Sequence, residues 1–263
     1  MNVYIISDME GISGIWREEM VNPGHAEHYA VGRKLLMADL NAAIAACFEA
    51  GANRVVVNDG HGGAPHILLE EMDQRAEYER PQSGANVFPS LDDSFTAMVM
   101  IGAHAMAGTP QAFLDHTQSS TSWYNYFVNG RKYGEIGQMA ILAGHWDVPL
   151  VAVSGDDAAC QEAKELLGEA VATAVVKWAI GRQWARCLHP VVARERIRQA
   201  VLSGLALVGK AGPYKIGLPA TVRVEFYRTD MADPYEHHPR VKRVGPREIE
   251  LVVERACDIL NFA

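Results

Sequence analysis

The chain has 263 residues, 49% of them apolar and 21% charged, with a formal net charge of -8. That balance fits a soluble globular protein and excludes nucleic acid as the main partner, because binding phosphate needs a basic footprint. No stretch approaches the roughly 20 apolar residues that span a bilayer, and the N-terminus enters a strand-like run without a basic leader, so no membrane partner is expected. Cys47, Cys160, Cys187 and Cys257 lie far apart and form no CxxC pair. They read as reduced thiols of a cytoplasmic protein, not as a disulfide frame or a zinc knuckle. The basic cluster Arg240-Val241-Lys242-Arg243 reads as a solvated turn.

Short apolar runs rich in β-branched residues alternate with helical patterns, which predicts an α/β fold with a mainly parallel sheet flanked by helices. The first predicted strand, residues 3–7, ends in Asp8-Met9-Glu10-Gly11. A helix over 26–49 follows, with Leu35, Leu36, Leu40, Ile44 and Phe48 at helical spacing and Gly51 closing it. The strand over 54–57 ends in Asn58-Asp59-Gly60-His61-Gly62-Gly63, and the strand over 97–101 ends in Gly102-Ala103-His104. Asn129-Gly130 is a type I′ turn signal inside a hairpin over 124–133. Directly after it, Gly134-Glu135-Ile136-Gly137 opens a helix to about His145. A strand over 148–154 leads to Asp156-Asp157 at another helix start. Further helix and strand patterns follow, with a strand over 221–227 and a last amphipathic helix over 246–262. The expected organisation is a metal-binding α/β domain over 1–160 and a C-terminal α/β lobe over 161–263.

Three predicted strands therefore end in residues of the metal-ligand type: Asp8 with Glu10, Asp59 with His61, and His104. In open α/β sheets, ligands bind outside the carboxyl ends of the strands, so neighbouring strands would gather these groups on one edge. Each has a plain reading alone. Asp8 could cap a turn, Asp59 sit in a loop, His61 lie on the surface, and His104 be a hydrogen-bonded core histidine. The glycines at 60, 62 and 63 fit either a close backbone approach or a flexible turn. Asp8 beside Glu10 is costly unless a cation neutralises the pair, and the coincidence of three strand ends favours a metal site. Oxygen and imidazole donors without thiolate suit zinc, manganese or cobalt. Several carboxylates favour two ions about 3.5–4 Å apart, with one carboxylate such as Asp8 bridging them. Hydrolysis of an amide, ester or phosphoester is the natural chemistry. His116, in Leu114-Asp115-His116-Thr117, has the placement of a general acid/base or nucleophile, or of a loop histidine bonded to Asp115. His25, His28, His145, His237 and His238 read as structural or solvated.

The segments Ser7 to Gly14, Val57 to His61, Gly102 to His104 and Gly134 to Gly137, in that order, resemble the zinc-dependent D-aminopeptidase family, the M55 peptidases. The resemblance is dense over the first 160 residues and weak near the C-terminus. It implies two zinc ions per subunit, with Asp8 bridging, His61 and His104 completing one site, and Glu10 and Glu135 completing the other. Pattern alone reads Glu135 as a carboxylate favoured at a helix start. The resemblance also implies a catalytic role for His116, a short peptide substrate, and a large homo-oligomer, a decamer in the family. The expected function is an aminopeptidase acting on short peptides of D-amino acids. One alternative is a dinuclear phosphoesterase or an amidase on a non-peptide substrate, with Arg131 or Lys132 as the phosphate partner. The other is a non-enzymatic metal- or ligand-binding protein.

Overall fold

Val3 and Ile5 face one side of β1 (Asn2–Ser7) and Tyr4 and Ile6 the other, and all four are buried. Such a strand needs apolar cover on both faces. A computed structural model of the chain, describing residues 1–62, 65–80 and 87–262, supplies it; Gly63 lies outside the described residues. α1 (Ala26–Glu49) follows and ends on Gly51, whose φ of +89° closes the helix. There the Ala52 amide donates to the Cys47 carbonyl and the Gly51 amide to that of Phe48, as the helix-ending glycine requires.

The next elements are β2 (Arg54–Asp59), β3 (Glu77–Glu79), β4 (Ala97–Ala103), β5 (Trp123–Val128), β6 (Arg131–Lys132) and α2 (Glu135–His145). Then come β7 (Leu150–Asp156), α3 (Asp157–Leu167), β8 (Ala172–Gly181), β9 (Trp184–Cys187), α4 (Pro190–Leu205), β10 (Ala220–Phe226), β11 (Val241–Gly245) and β12 (Glu248–Val253). A seven-stranded sheet has the order β3-β2-β1-β4-β7-β8-β9 and is parallel except for β9. A five-stranded antiparallel sheet has the order β11-β12-β10-β5-β6. β8 and β9, beyond residue 160, extend the first sheet, while β5 and β6, before it, belong to the second.

Val3, Ile5, Val55, Val57, Val99 and Ile101 meet α1 and α4 on one face of the first sheet. Tyr4, Met98 and Met100 face α2 on the other. α2 is thus held between the sheets, its Ile136, Met139 and Ala140 sharing one core with Tyr126, Val222, Val224 and Ile249. The hairpin stands as expected, with Asn129 and Gly130 both at positive φ. The helix expected over 246–262 does not form. Ile249, Leu251 and Val253 are buried while Glu248, Glu250 and Val252 are not, a period of two that makes this segment the strand β12. No helix among the described residues is long and apolar enough to cross a membrane.

Candidate metal centre

Ser7 pairs with Asp59 on one side and Ile101 on the other, so β1, β2 and β4 end at one level. Their following residues emerge together. The backbones beyond these ends also touch. The Gly11 amide donates to the Gly102 carbonyl at 2.7 Å, and the Asp8 amide to that of Ile101 at 2.8 Å. A Cβ on Gly102 would lie 2.1 Å from the Asp8 carbonyl oxygen, and one on Gly11 would lie 2.1 Å from that of Ala103. Gly102 also has a φ of +85°. Only two bare backbones at this crossing let Asp8 and His104 meet.

Asp8 lies at the centre. Its Oδ1 is 2.9 Å from His61 Nδ1, and its Oδ2 is 3.3 Å from His104 Nε2. Glu10 Oε2 lies 3.0 Å from the same His61 nitrogen, and Glu135 Oε1 lies 3.3 Å from His104 Nε2. The closest contacts thus set Glu10 against His61 and Glu135 against His104. Glu135 arrives by another route, at the first turn of α2 directly after the β5–β6 hairpin. The Gln118 amide donates to its Oε1 at 2.7 Å, tying it to the loop that bears His116.

Each histidine is oriented by a backbone carbonyl. His61 Nε2 donates to Val21 O at 3.1 Å, His104 Nδ1 to Ala105 O at 3.0 Å, and His116 Nδ1 to Leu114 O at 2.8 Å. The opposite nitrogen of each ring then faces the carboxylates, the arrangement that prepares an imidazole as a metal ligand. His116 lies flat on His104, ring centroids 3.9 Å apart, with its Nε2 3.8 Å from Glu135 Oε1. Glu10 Oε2 and His104 Nε2 are buried without a hydrogen-bond partner. Ligand atoms of Asp8, Glu10 and His104 lie within 4.8 Å of one another, as do those of His104, His116 and Glu135. Buried acceptors left unmatched around a shared carboxylate fit a divalent cation.

The electrostatics agree. Burial opposes charge on Asp8, but the His104 and His61 imidazoles facing it hold its carboxyl well below the usual carboxylate range. Burial also disfavours charged imidazoles, yet the facing carboxylates raise both histidines well above their ordinary value, Glu10 leading for His61 and Glu135 for His104. A metal must displace such protons, so binding is coupled to their release.

Asp59 serves the loop instead. Its Oδ2 accepts the His66 amide at 2.8 Å, which fixes the turn that presents His61. Lys132 Nζ donates to Ala107 O, and Arg131 Nη1 to the Tyr214 hydroxyl. Neither lines the cleft over the centre.

Sequence reasoning missed the supports. Lys177, fully buried on β8, donates from Nζ to the carbonyls of Glu10 and Ile15, both at 2.6 Å. Asp39 of α1 accepts the amide and hydroxyl of Ser13, each at 2.7 Å. Arg182 grips Asp115, the residue before His116, through its side-chain carboxylate and its carbonyl, both at 3.0 Å. The one available signal was a lysine inside the apolar run Ala174-Val175-Val176-Lys177-Trp178-Ala179-Ile180.

With this geometry in view, the comparisons with known proteins are decisive. The profile of the D-aminopeptidase family, peptidase family M55, matches residues 1–263. The chain belongs to that family. A D-aminopeptidase of Bacillus subtilis (strain 168) is 32% identical over 234 residues, covering 89% of this chain and 84% of the relative. A solved structure of the zinc-dependent D-aminopeptidase DppA from Bacillus subtilis, a self-compartmentalizing protease, superposes with a TM-score of 0.93 at 28% identity. The match covers 99% of this chain and 94% of that one. The family resemblance and the mainly parallel α/β fold read from the sequence therefore both stand.

Proposed function

We propose that this chain is a metal-dependent aminopeptidase that removes the N-terminal residue, a D-residue, from short peptides. Two zinc ions per subunit would be held by Asp8, Glu10, His61, His104 and Glu135. The observation that carries this is the Asp8 carboxylate, whose two oxygens face His61 and His104 on opposite sides. One carboxylate shared between two sets of donors is the arrangement that two-metal hydrolases use. Bound zinc supplies Lewis acidity at the scissile carbonyl and for water.

The chain's own residues do the rest. The free amino end of a peptide would be received at this centre, which sets the first peptide bond beside the same residues. His116 Nε2, left free because Nδ1 donates to Leu114 O, takes a proton or attacks the carbonyl. The relatives' names support peptides of D-residues. We extend to this chain a cytoplasmic homo-oligomer, a decamer by the family resemblance, which light scattering would size.

Matched D- and L-aminoacyl amides and dipeptides, incubated with zinc-loaded and with chelated protein, test the reading. Cleavage confined to the D series and lost on chelation is expected. Cleavage of the L series alone would move the specificity, and zinc-loaded protein that cuts neither series would sink the aminopeptidase reading.

A further inference from the structure

The centre lies in a cleft of about 1110 Å³. Five acidic side chains line it: Asp8, Glu10, Glu18, Asp59 and Glu135. Two arginines, Arg80 and Arg182, also line it. Their situations differ. Arg182 is neutralised by Asp115 at 3.0 Å and spends its guanidinium on the His116 loop. Arg80 is half-buried and donates only to the Gly62 carbonyl, at a long 3.3 Å. It makes no direct ion pair among the described residues, although the Asp59 carboxylate lies near enough to feel its charge, and residues 81–86, Pro-Gln-Ser-Gly-Ala-Asn, include no acidic residue.

A guanidinium without a direct ion pair in a substrate cleft is a binding group for an anion. Its position sets which anion. Gly62 directly follows His61 and Arg80 lines the same cleft, so a peptide about one or two residues long, at roughly 3.5 Å of extended chain per residue, would reach from the metal ligands toward the guanidinium. A short peptide at neutral pH is a zwitterion with its charges at that kind of separation. Its amino end belongs at the metal centre, and its carboxylate end needs a cation a residue or two away.

We propose that Arg80 binds the C-terminal carboxylate of the substrate and so selects di- and tripeptides with a free C-terminus. This rests on the aminopeptidase reading and adds a specificity-determining residue to it. The guanidinium forms paired hydrogen bonds with the two carboxylate oxygens, which fixes the peptide's direction as well as its length. Longer peptides and amides place no charge there and lose that contact.

The test compares a dipeptide, of whichever chirality the enzyme cleaves, with its C-terminal amide, using zinc-loaded wild type, Arg80→Gln and Arg80→Lys. Wild type should cleave the free acid more efficiently than the amide by about 10- to 100-fold in kcat/KM, mainly through KM. Arg80→Gln should erase that preference by raising KM for the acid while leaving the amide unchanged. Arg80→Lys, a point charge without the planar fork, should restore part of it. Equal use of acid and amide by wild type overturns the assignment and leaves the aminopeptidase reading intact. An equal loss on both substrates in Arg80→Gln overturns it as well, showing that Arg80 merely holds the Gly62 turn. Failure of wild type to cleave either substrate overturns both readings together.

Discussion

Every residue of β4 and β7 is buried, whereas β10 in the second sheet buries alternate residues only. The first sheet is covered on both faces by helices, and its strands end abruptly in charged or imidazole side chains at one edge. The second sheet has one apolar face, against α2, and one that meets solvent. The difference separates two jobs. Strands buried on both faces cannot shift in register without losing core, so side chains at their ends are held to a fixed position. The second sheet contributes a single ligand indirectly, through the hairpin that returns the chain to Glu135 at the start of α2.

If the edge of the first sheet carries the chemistry, the largest effect belongs to the group that does not hold the fold. His116→Ala is expected to lower kcat by 10²–10⁴-fold, the usual contribution of a positioned acid, base or nucleophile. Zinc content by elemental analysis should stay at the wild-type value, because the other donors remain. A variant that keeps turnover would remove His116 from the mechanism. The next effect tests the crossing of backbones. Gly102→Ala puts a Cβ 2.1 Å from the Asp8 carbonyl at a φ of +85° and should cost on the order of 3 kcal/mol in urea unfolding. It should lose zinc with it. Val252→Thr, on the exposed face of β12, should stay within about 0.5 kcal/mol. Equal costs at the two positions would erase the contrast between the sheets.

The same contrast decides what could be read from the sequence. Asp8, Glu10, His61 and His104 were legible because each follows a short apolar run, and a run of that kind announces both the strand and its end. Glu135 was legible only through the family resemblance. Its place depends on β5 pairing with β10, Val128 opposite Val222, and no local periodicity encodes a partner so distant in sequence. The segment 246–262 reads as a helix because Ile249, Val253 and Ala256 satisfy a helical spacing, while Ile249, Leu251 and Val253 satisfy an alternating one. Pairing with β10 and a place for Ile249, Leu251 and Val253 in the core shared with α2 favour the strand. Lys177 and Arg182 stayed hidden because they act largely on backbone carbonyls, which leave no mark in a sequence.

A pH-dependent effect concerns how the Glu10 loop is fastened to the first sheet's helical cover. Asp39 on α1 is buried and receives the Ser13 amide and hydroxyl, with Arg194 3.7 Å away. Burial pushes its pKa up to about 6, against the pull of those hydrogen bonds. With a folded value above the ordinary 3.8, the native state binds the proton more tightly than the unfolded chain between about pH 4 and 6. Stability from this group is therefore greatest below that window and declines as the pH rises through it, by on the order of 2 kcal/mol. Asp39→Asn keeps an acceptor for the Ser13 amide and cannot ionise. Its stability relative to wild type, followed by urea unfolding at several pH values, should improve steadily from pH 4 to 6 and then level off. A flat difference across that range would mean that Asp39 is already charged at pH 4 and that Arg194 and Ser13 outweigh its burial. The fastening would then be an ion pair, and Asn would weaken it at every pH.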